Sequence, residues 1–363
     1  MKIYYIAEIV LPSKSAYSLH VLKMCEAFSK LNHEVELIIF YKDPLTSDSS
    51  IFEKYNINFK FKITNIYNKN LKSFNFLNRI ELAVKAKKII KNDSLIISRS
   101  IISSLYLGFK KIPNILEIHT NFQSLTNFLF NLRNFYIKKN FIKFVLIHNN
   151  LVKTLKLENN SYEVLDDAVN LDEFEQIKTN PERDCIYVGR LTKGMGFEMI
   201  KKIASIMPNL KFDVYGNKDD LPRNSIETLP KNLYLFDYVD YKDIPRIIKN
   251  HRIVLMPYEK KVLAFAKDLE IQNNMSPMKM FDYLASGRII LATDLKVYSH
   301  ILKNDYNSFL LPPTDAKVWK NKIENINLDY ENIKKDIERN SLETVKKYSW
   351  LNRAKKIIQF KEI

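Results

Sequence analysis

Glycine is scarce in this chain, six residues in 363, and none falls within residues 1–50. A G-x-G-x-x-G turn after the first strand is therefore absent, and a dinucleotide site is not expected. Cysteine is scarcer still. Cys25 and Cys185 fall in separate halves, and buried thiols in a reducing cytosol fit them better than a disulfide. No run approaches the roughly 18 apolar residues of a membrane-spanning helix. The N-terminus enters a strand at once, without the basic segment and apolar run of a secretion signal. These absences predict a soluble or peripheral protein of the cytoplasm.

Acidic side chains are outnumbered, 41 against 57 basic ones, for a net charge of +16. The excess is uneven. Residues 1–165 hold 24 Lys+Arg against 12 Asp+Glu, net +12, and residues 166–363 hold 33 against 29, net +4, which together give +16. Residues 51–150 alone hold 17 basic and 4 acidic side chains. Such a balance suits an anionic partner for the first half: nucleic acid, a membrane surface or a phosphate-bearing substrate. Part of it is ordinary solubility in a chain rich in Lys and Asn.

What is present reads as α/β on two domains, which the length accommodates. Residues 2–10, a helix from Ala16 to Leu31 and a strand from Glu34 to Phe40 open a βαβ unit. Residues 51–73 show only short strands. A helix from Leu77 to Ile90 carries Arg79, Lys85, Lys87 and Lys88 on its polar side. A strand Leu95–Arg99, a helix near 103–109, and a strand Asn114–Thr120 containing His119 follow. Phe122 to Ile142 reads as one aromatic and basic helix, suited to lying on an anionic membrane or to packing on its own domain. Val145–His148 closes the first sheet.

The second half opens with a strand at Cys185–Val188 and a turn holding Gly189, Arg190, Lys193, Gly194 and Gly196. Glycines there permit close backbone approach, and an arginine can clamp phosphate oxygens with two parallel bonds; together they predict an anion cradle. The stretch Ser276–Gly287 reads as a helix with Ser276 at the N-cap, Pro277 at the first helical position and Gly287 as its stop. Met278, Phe281, Leu284 and Ala285 form its buried stripe. Lys279 and Asp282 share another face near the N-terminus, the end of a helix that attracts anions. A strand at Arg252–Pro257 and a long polar loop precede it, the placement expected of a ligand site in an open α/β sheet.

Ser276 to Gly287 resembles the donor-site helix of the family-4, GT-B-type retaining glycosyltransferases, in the branch that reads SPxKxFEYxAxG, with Asp282 in place of the Glu. Further segments carry the same resemblance. Gly189-Arg190-Leu191 with Lys193-Gly194 resembles VGRL...KG, by a turn two residues shorter; matched without a gap, Met195 would stand at the Lys position. Leu116–Thr120 resembles the segment ending in ExHt. Residues 12–35 resemble the first family unit, with Ser13-Lys14-Ser15 where a Gly-rich loop is usual.

The resemblance implies a GT-B fold: two Rossmann-like, doubly wound domains facing a central cleft, with a C-terminal helix crossing back to the first. The corresponding bounds are an acceptor-binding domain at 1–165, a linker at 166–180, a nucleotide-sugar-binding domain at 181–345 and a returning helix at 346–363. It implies transfer of a sugar from a UDP- or GDP-sugar to a glycan or lipid-linked acceptor, with retention, in bacterial surface polysaccharide or glycoconjugate synthesis. The implied catalytic residues are His119, Arg190 and Lys193. The implied donor-binding residues are Gly189, Gly194, Gly196, Asn274, Ser276, Pro277, Lys279 and Asp282, with Ser13, Lys14 and Ser15 as the phosphate loop. Asn274 and Asp282 fill the places of the family's E-x7-E pair, so the first carries no charge here. No D-x-D occurs, which favours a metal-independent reaction with no cofactor beyond the donor itself.

Two other readings fit these departures: a catalytically weakened subunit that binds nucleotide sugar or scaffolds a partner, and a sugar-nucleotide epimerase. The basic first half, with Lys138, Lys139 and Lys143 interleaved with aromatics, suits an anionic membrane surface at the inner face. No nucleic-acid recognition motif appears.

Overall fold

The computed structural model describes residues 1–67, 75–122, 124–138, 141–262 and 270–362. The chain divides into two compact units, Met1–Asp167 with Trp350–Ile363, and Ala168–Ser349. Among the described residues no helix is long and apolar enough to cross a membrane.

The first unit is built on seven parallel strands: β1 (Lys2–Leu11), β2 (Glu34–Lys42), β3 (Lys62–Asn65), β4 (Leu95–Ser98), β5 (Asn114–Ile118), β6 (Ile142–Leu146) and β7 (Tyr162–Val164). Their order is β3-β2-β1-β4-β5-β6-β7. Ile3 through Ala7 are all buried, as expected for a parallel strand covered by helices on both faces. The strand order reverses between β1 and β4, and in open α/β sheets the crevice at the carboxyl ends of such strands takes the ligand. The last helix, Trp350–Glu362, packs on Ala16–Lys30. It buries Trp350, Ala354, Ile357 and Phe360, a stripe at helical spacing.

Three sequence expectations are corrected here. Residues 48–54, read as irregular, form a helix, because Ser47 caps it by accepting from the Ser50 N–H (3.1 Å) and Ile51 and Phe52 are buried. The helix expected to run to Ile142 ends at Tyr136; Ile142 instead starts β6 and pairs with Asn114 of β5. The first sheet does not close at His148, since Tyr162–Val164 adds β7 beside β6.

The second unit repeats the plan with β8 (Arg183–Val188), β9 (Phe212–Tyr215), β10 (Leu233–Phe236), β11 (His251–Met256), β12 (Ile289–Thr293) and β13 (Phe309–Leu311). These are parallel in the order β10-β9-β8-β11-β12-β13, so the reversal falls between β8 and β11. Its core joins Tyr187, Ile200, Phe212, Leu255, Leu291 and Trp319 in one cluster. Losing a buried Ile or Leu side chain from such a core costs about 2–5 kcal/mol.

Candidate functional site

In the second unit the residues predicted to cradle an anion lie at the reversal between β8 and β11. Gly189 leaves β8 with φ +149°, and a Cβ there would lie 2.3 Å from the Lys279 Nζ. Only a residue without a side chain lets that ammonium group approach the turn so closely. Gly196, φ +94°, opens the helix Phe197–Ser205, and a Cβ there would sit 2.1 Å from the Pro257 carbonyl oxygen. The two strand ends therefore touch through glycine.

The helix Met278–Ser286 ends as expected, with Gly287 left-handed at φ +66°. Its start is one residue later than the sequence suggested. Pro277, not Ser276, is the N-cap, in an extended conformation and with no side-chain capping bond. The first bond is the tight one from the Met280 N–H to the Pro277 carbonyl (2.9 Å). A helix end without a side-chain cap leaves backbone N–H groups to meet an anion. The buried face is also shifted from the expected stripe: Met280 and Tyr283 are buried along with Phe281, Leu284 and Ala285, while Met278 is half-buried.

Lys279 is the centre of this arrangement. Its Nζ is buried and makes no hydrogen bond among the described residues. It lies 3.9 Å from the centroid of the Tyr187 ring and 5.3 Å from that of Tyr258. Burial pulls its pKa down to about 7, because desolvation penalises the ammonium form and no carboxylate offsets it. An incoming diphosphate would supply the missing charge. Arg190 is half-buried and Lys193 exposed, on the same turn; the Arg190 carbonyl accepts from the Tyr187 hydroxyl (2.5 Å). Asn274, Ser276 and Asp282 are buried, and Asp282 accepts from the Tyr241 hydroxyl (3.0 Å). Gly194 is drawn against the segment that follows β11, with its carbonyl accepting from the Glu259 N–H (2.9 Å).

The first unit places its predicted residues differently. Ser15 caps the helix Ala16–Lys30 by accepting from the Tyr17 N–H (3.2 Å), and the Ser13 hydroxyl oxygen accepts from the Ser15 N–H (3.0 Å). The loop holds its shape through these serines where glycines were expected, while Lys14 is exposed. His119 lies just past β5, its Nε2 2.9 Å from Glu117 Oε1 and its ring edge-on to His20 at 4.6 Å. Burial, reinforced by the charge of Arg99, holds its pKa at about 3, so it is neutral near pH 7.

Glu117 is the hub, and the sequence reading passed over it. Its Oε1 lies 2.7 Å from His20 Nε2 and 2.5 Å from Arg353 Nη2, and its Oε2 accepts from the Tyr5 hydroxyl. His20 Nδ1 is in turn 2.6 Å from Asp167 Oδ1. Burial alone would push the Glu117 carboxyl up, but His20 and Arg353 outweigh it and hold the group well below the usual carboxylate range. His20, Glu117 and His119 offer ligand atoms within 4.8 Å of one another. Arg353 occupies the very oxygen that a metal would need, so the donor set fits a closed ion network better than a metal centre. The one signal in the sequence was the i, i+2 spacing of Glu117 and His119, which puts both on one side of the strand.

The expected basic membrane face is also revised. Lys143 donates to the Phe360 carbonyl (2.7 Å) and is engaged within its unit, while Lys139 lies outside the described residues. Instead the helix Ser124–Tyr136 exposes an apolar stripe at Leu125, Phe128 and Phe135, on the side away from buried Phe130.

Comparison with known proteins bears on both units. Residues 170–343 match the family described as Glycosyl transferases group 1. TuaH of Bacillus subtilis (strain 168), named as a teichuronic acid biosynthesis glycosyltransferase, is 23% identical over 169 residues, 43% of this chain and 40% of its own length. The chain thus meets well under half of that relative. A glycosyltransferase from Rickettsia africae ESF-5 superposes over 99% of this chain and 98% of its own, with TM-score 0.75 and 16% identity. Anabaena Alr3699/HepE, solved in complex with UDP, covers 99% of each chain with TM-score 0.73 and 12% identity. At these identities the solved structures speak for the fold, here the two-domain GT-B fold. Residues 170–343 are thus similar to the Glycosyl transferases group 1 family, on a fold shared from end to end with solved GT-B structures.

Proposed function

We propose that the protein is a retaining, metal-independent glycosyltransferase that moves a sugar from a UDP- or GDP-sugar to a glycan or lipid-linked acceptor in the synthesis of a bacterial surface polysaccharide or glycoconjugate. One observation carries this reading: the buried Lys279 Nζ beside Gly189, without a hydrogen-bond partner among the described residues, at a helix N-terminus with no side-chain cap, within the stretch similar to Glycosyl transferases group 1. The barrier to transfer lies in breaking the bond between the anomeric carbon and the diphosphate, whose leaving oxygen gathers negative charge. Preorganised cations and N–H groups lower it. Arg190, Lys193, Lys279 and the amides at 278 and 279 supply such groups, and the chemistry then needs no metal ion. His119, neutral, is suited to hydrogen-bond a sugar hydroxyl rather than to carry charge. UDP bound to HepE favours uridine as the base.

The acceptor would be met by the first unit at the inner face of a membrane. Supporting this are the first unit's basic excess and the exposed apolar stripe of the helix Ser124–Tyr136, since aromatic side chains flanked by cations seat well in an anionic interface. The test is to incubate the full chain with a panel of UDP-, GDP-, ADP- and CMP-sugars, with and without EDTA, and to follow nucleotide release. The reading predicts release from one uridine or guanosine donor, undiminished by EDTA. Binding without release would favour the weakened subunit that Asn274, in its uncharged place, suggests. Release abolished by EDTA and restored by Mg²⁺ or Mn²⁺ would overturn metal independence.

A further inference from the structure

Several cations of the first unit that leave the solvent find a carboxylate, and others a backbone carbonyl, as Arg133 does at Phe130 and Lys143 at Phe360. Arg353 has Glu117 at 2.5 Å, Arg79 has Glu8 at 3.1 Å, Lys23 has Glu26 at 3.4 Å and Lys2 has Glu36 at 3.2 Å. Arg99 departs from this pattern. Its Nη1 is buried without a hydrogen-bond partner, and no ion pair joins its guanidinium to any described residue. What holds it is a ring: the guanidinium carbon lies 4.0 Å from the centroid of Tyr17. Tyr17 is itself fixed, because its hydroxyl donates to the Arg99 carbonyl and accepts from the Glu8 N–H, both at 3.2 Å. The planar fork is thus oriented in advance of any partner. Stacking on an aromatic face also leaves the N–H edges of a guanidinium free to donate.

Its place in the fold is the second consideration. Arg99 directly follows β4, and β4 pairs with β1 at the point where the strand order reverses. This is the carboxyl end of the sheet, where a doubly wound fold takes its ligand. The Ser13–Ser15 loop with exposed Lys14 leaves β1 at the same end, and His119 leaves β5 there, close enough for Arg99 to depress it. A partly buried charge without a counter-ion is costly to keep, and such violations of local consistency gather at functional sites.

We propose that Arg99 builds an anion subsite in the first unit, taking two oxygens of a phosphate or carboxylate group on the acceptor. The link to the acceptor rests on the glycosyltransferase reading; the subsite itself does not. It differs from the diphosphate cradle of the second unit in residues, sheet and ligand. The acceptor class that follows is an anionic one, a phosphate-bearing glycan or lipid-linked sugar, or a uronate.

The test uses the full chain, first without nucleotide and then saturated with UDP, titrated with inorganic phosphate and separately with glucuronate. Binding is followed by tyrosine fluorescence and by thermal shift. The proposal predicts saturable phosphate or glucuronate binding that persists in the presence of UDP. Arg99→Gln should weaken it roughly 10- to 100-fold, the scale of a lost charge-assisted pair, and leave the UDP shift unchanged. Preference between the two probes assigns the acceptor's group. Arg190→Ala should do the reverse, losing the UDP shift and keeping the phosphate one. Removal of an uncompensated charge should also leave the ligand-free melting temperature of Arg99→Gln equal to or above that of the parent. Equal binding of both probes by parent and Arg99→Gln, or no binding by the parent, overturns the subsite. A melting temperature several degrees lower in the variant shows a structural role instead. Failure of the parent to bind either UDP or GDP defeats the glycosyltransferase reading alone, since the nucleotide-free titration still reports on Arg99.

Discussion

The two units share a topology, and two of their charged sites, at the end of β5 and in the first turn of the helix Met278–Ser286, are arranged in opposite ways. Both sheets run three strands to one side of a reversal and the rest to the other. In the first unit, charges at the end of β5 satisfy one another: Glu117 is met by His20 and Arg353, and His20 by Asp167. In the second, Lys279 is set into the corresponding end with no partner among the described residues. A buried network of ion pairs fixes structure and is expensive to break from one side. An unsatisfied cation waits for a ligand. At these two places the same fold therefore holds an ion-pair brace and a cation with no partner among the described residues; Arg99 belongs with the second kind, and Asp213 with Arg183 and His251 belongs with the first.

The largest expected effect falls on the brace. Glu117→Ala strips the counter-charge from Arg353 and His20, and breaking a buried pair from one side costs about 3–5 kcal/mol. Urea denaturation should show that loss. A change below about 1 kcal/mol would mean that the network is not under tension and that the contrast with the Lys279 site is false.

Next comes the anion cradle. Arg190→Ala should lower turnover by roughly a hundredfold, the scale for removing one preorganised donor to a developing oxyanion. Its stability should stay within about 0.5 kcal/mol of the parent, as for a surface change. A destabilised protein with near-normal turnover would reverse the roles assigned to the two sites.

A smaller effect sharpens the cradle side. Lys279, with its pKa lowered to about 7, is charged below that pH and neutral above it. A diphosphate prefers the charged form, so donor affinity should be full below pH 7 and fall by up to about tenfold per unit above it. A UDP-sugar is the right probe, because its diphosphate does not itself titrate in this range. Lys279→Arg, charged throughout, should flatten the profile. A slope unchanged in that variant would show that some other group titrates.

The smallest effect is a flat line. His119, held at about 3, changes charge only in strong acid. No inflection between pH 5 and 8 in kcat/KM should disappear in His119→Asn; one that did would mean that the histidine charges in the working range.

How much of this was legible follows the same division. The second unit's site is local in sequence: a strand, a glycine turn and a helix stopped by Gly287 are each written in a dozen residues, and the structure keeps them. The start of that helix slipped by one residue because Pro277 was given to the first turn when its extended backbone makes it the N-cap. Its buried face came out shifted because periodicity shows that a stripe exists but not that Met280 and Tyr283 also find cover. The first unit's network joins Arg353 to Glu117 across 236 positions and His20 to Asp167 across 147. No spacing rule reaches that far. Arg99 was equally silent, since the sequence reports that an arginine ends a strand but not that it lacks a partner.

The direct test of the account is calorimetric titration of UDP into the full chain and into Arg190→Ala, Lys279→Met and Glu117→Gln. The account predicts a single site in the parent, affinity reduced at least tenfold in each of the two cation variants, and affinity kept in Glu117→Gln wherever that variant remains folded. UDP affinity unchanged in both Arg190→Ala and Lys279→Met would contradict it.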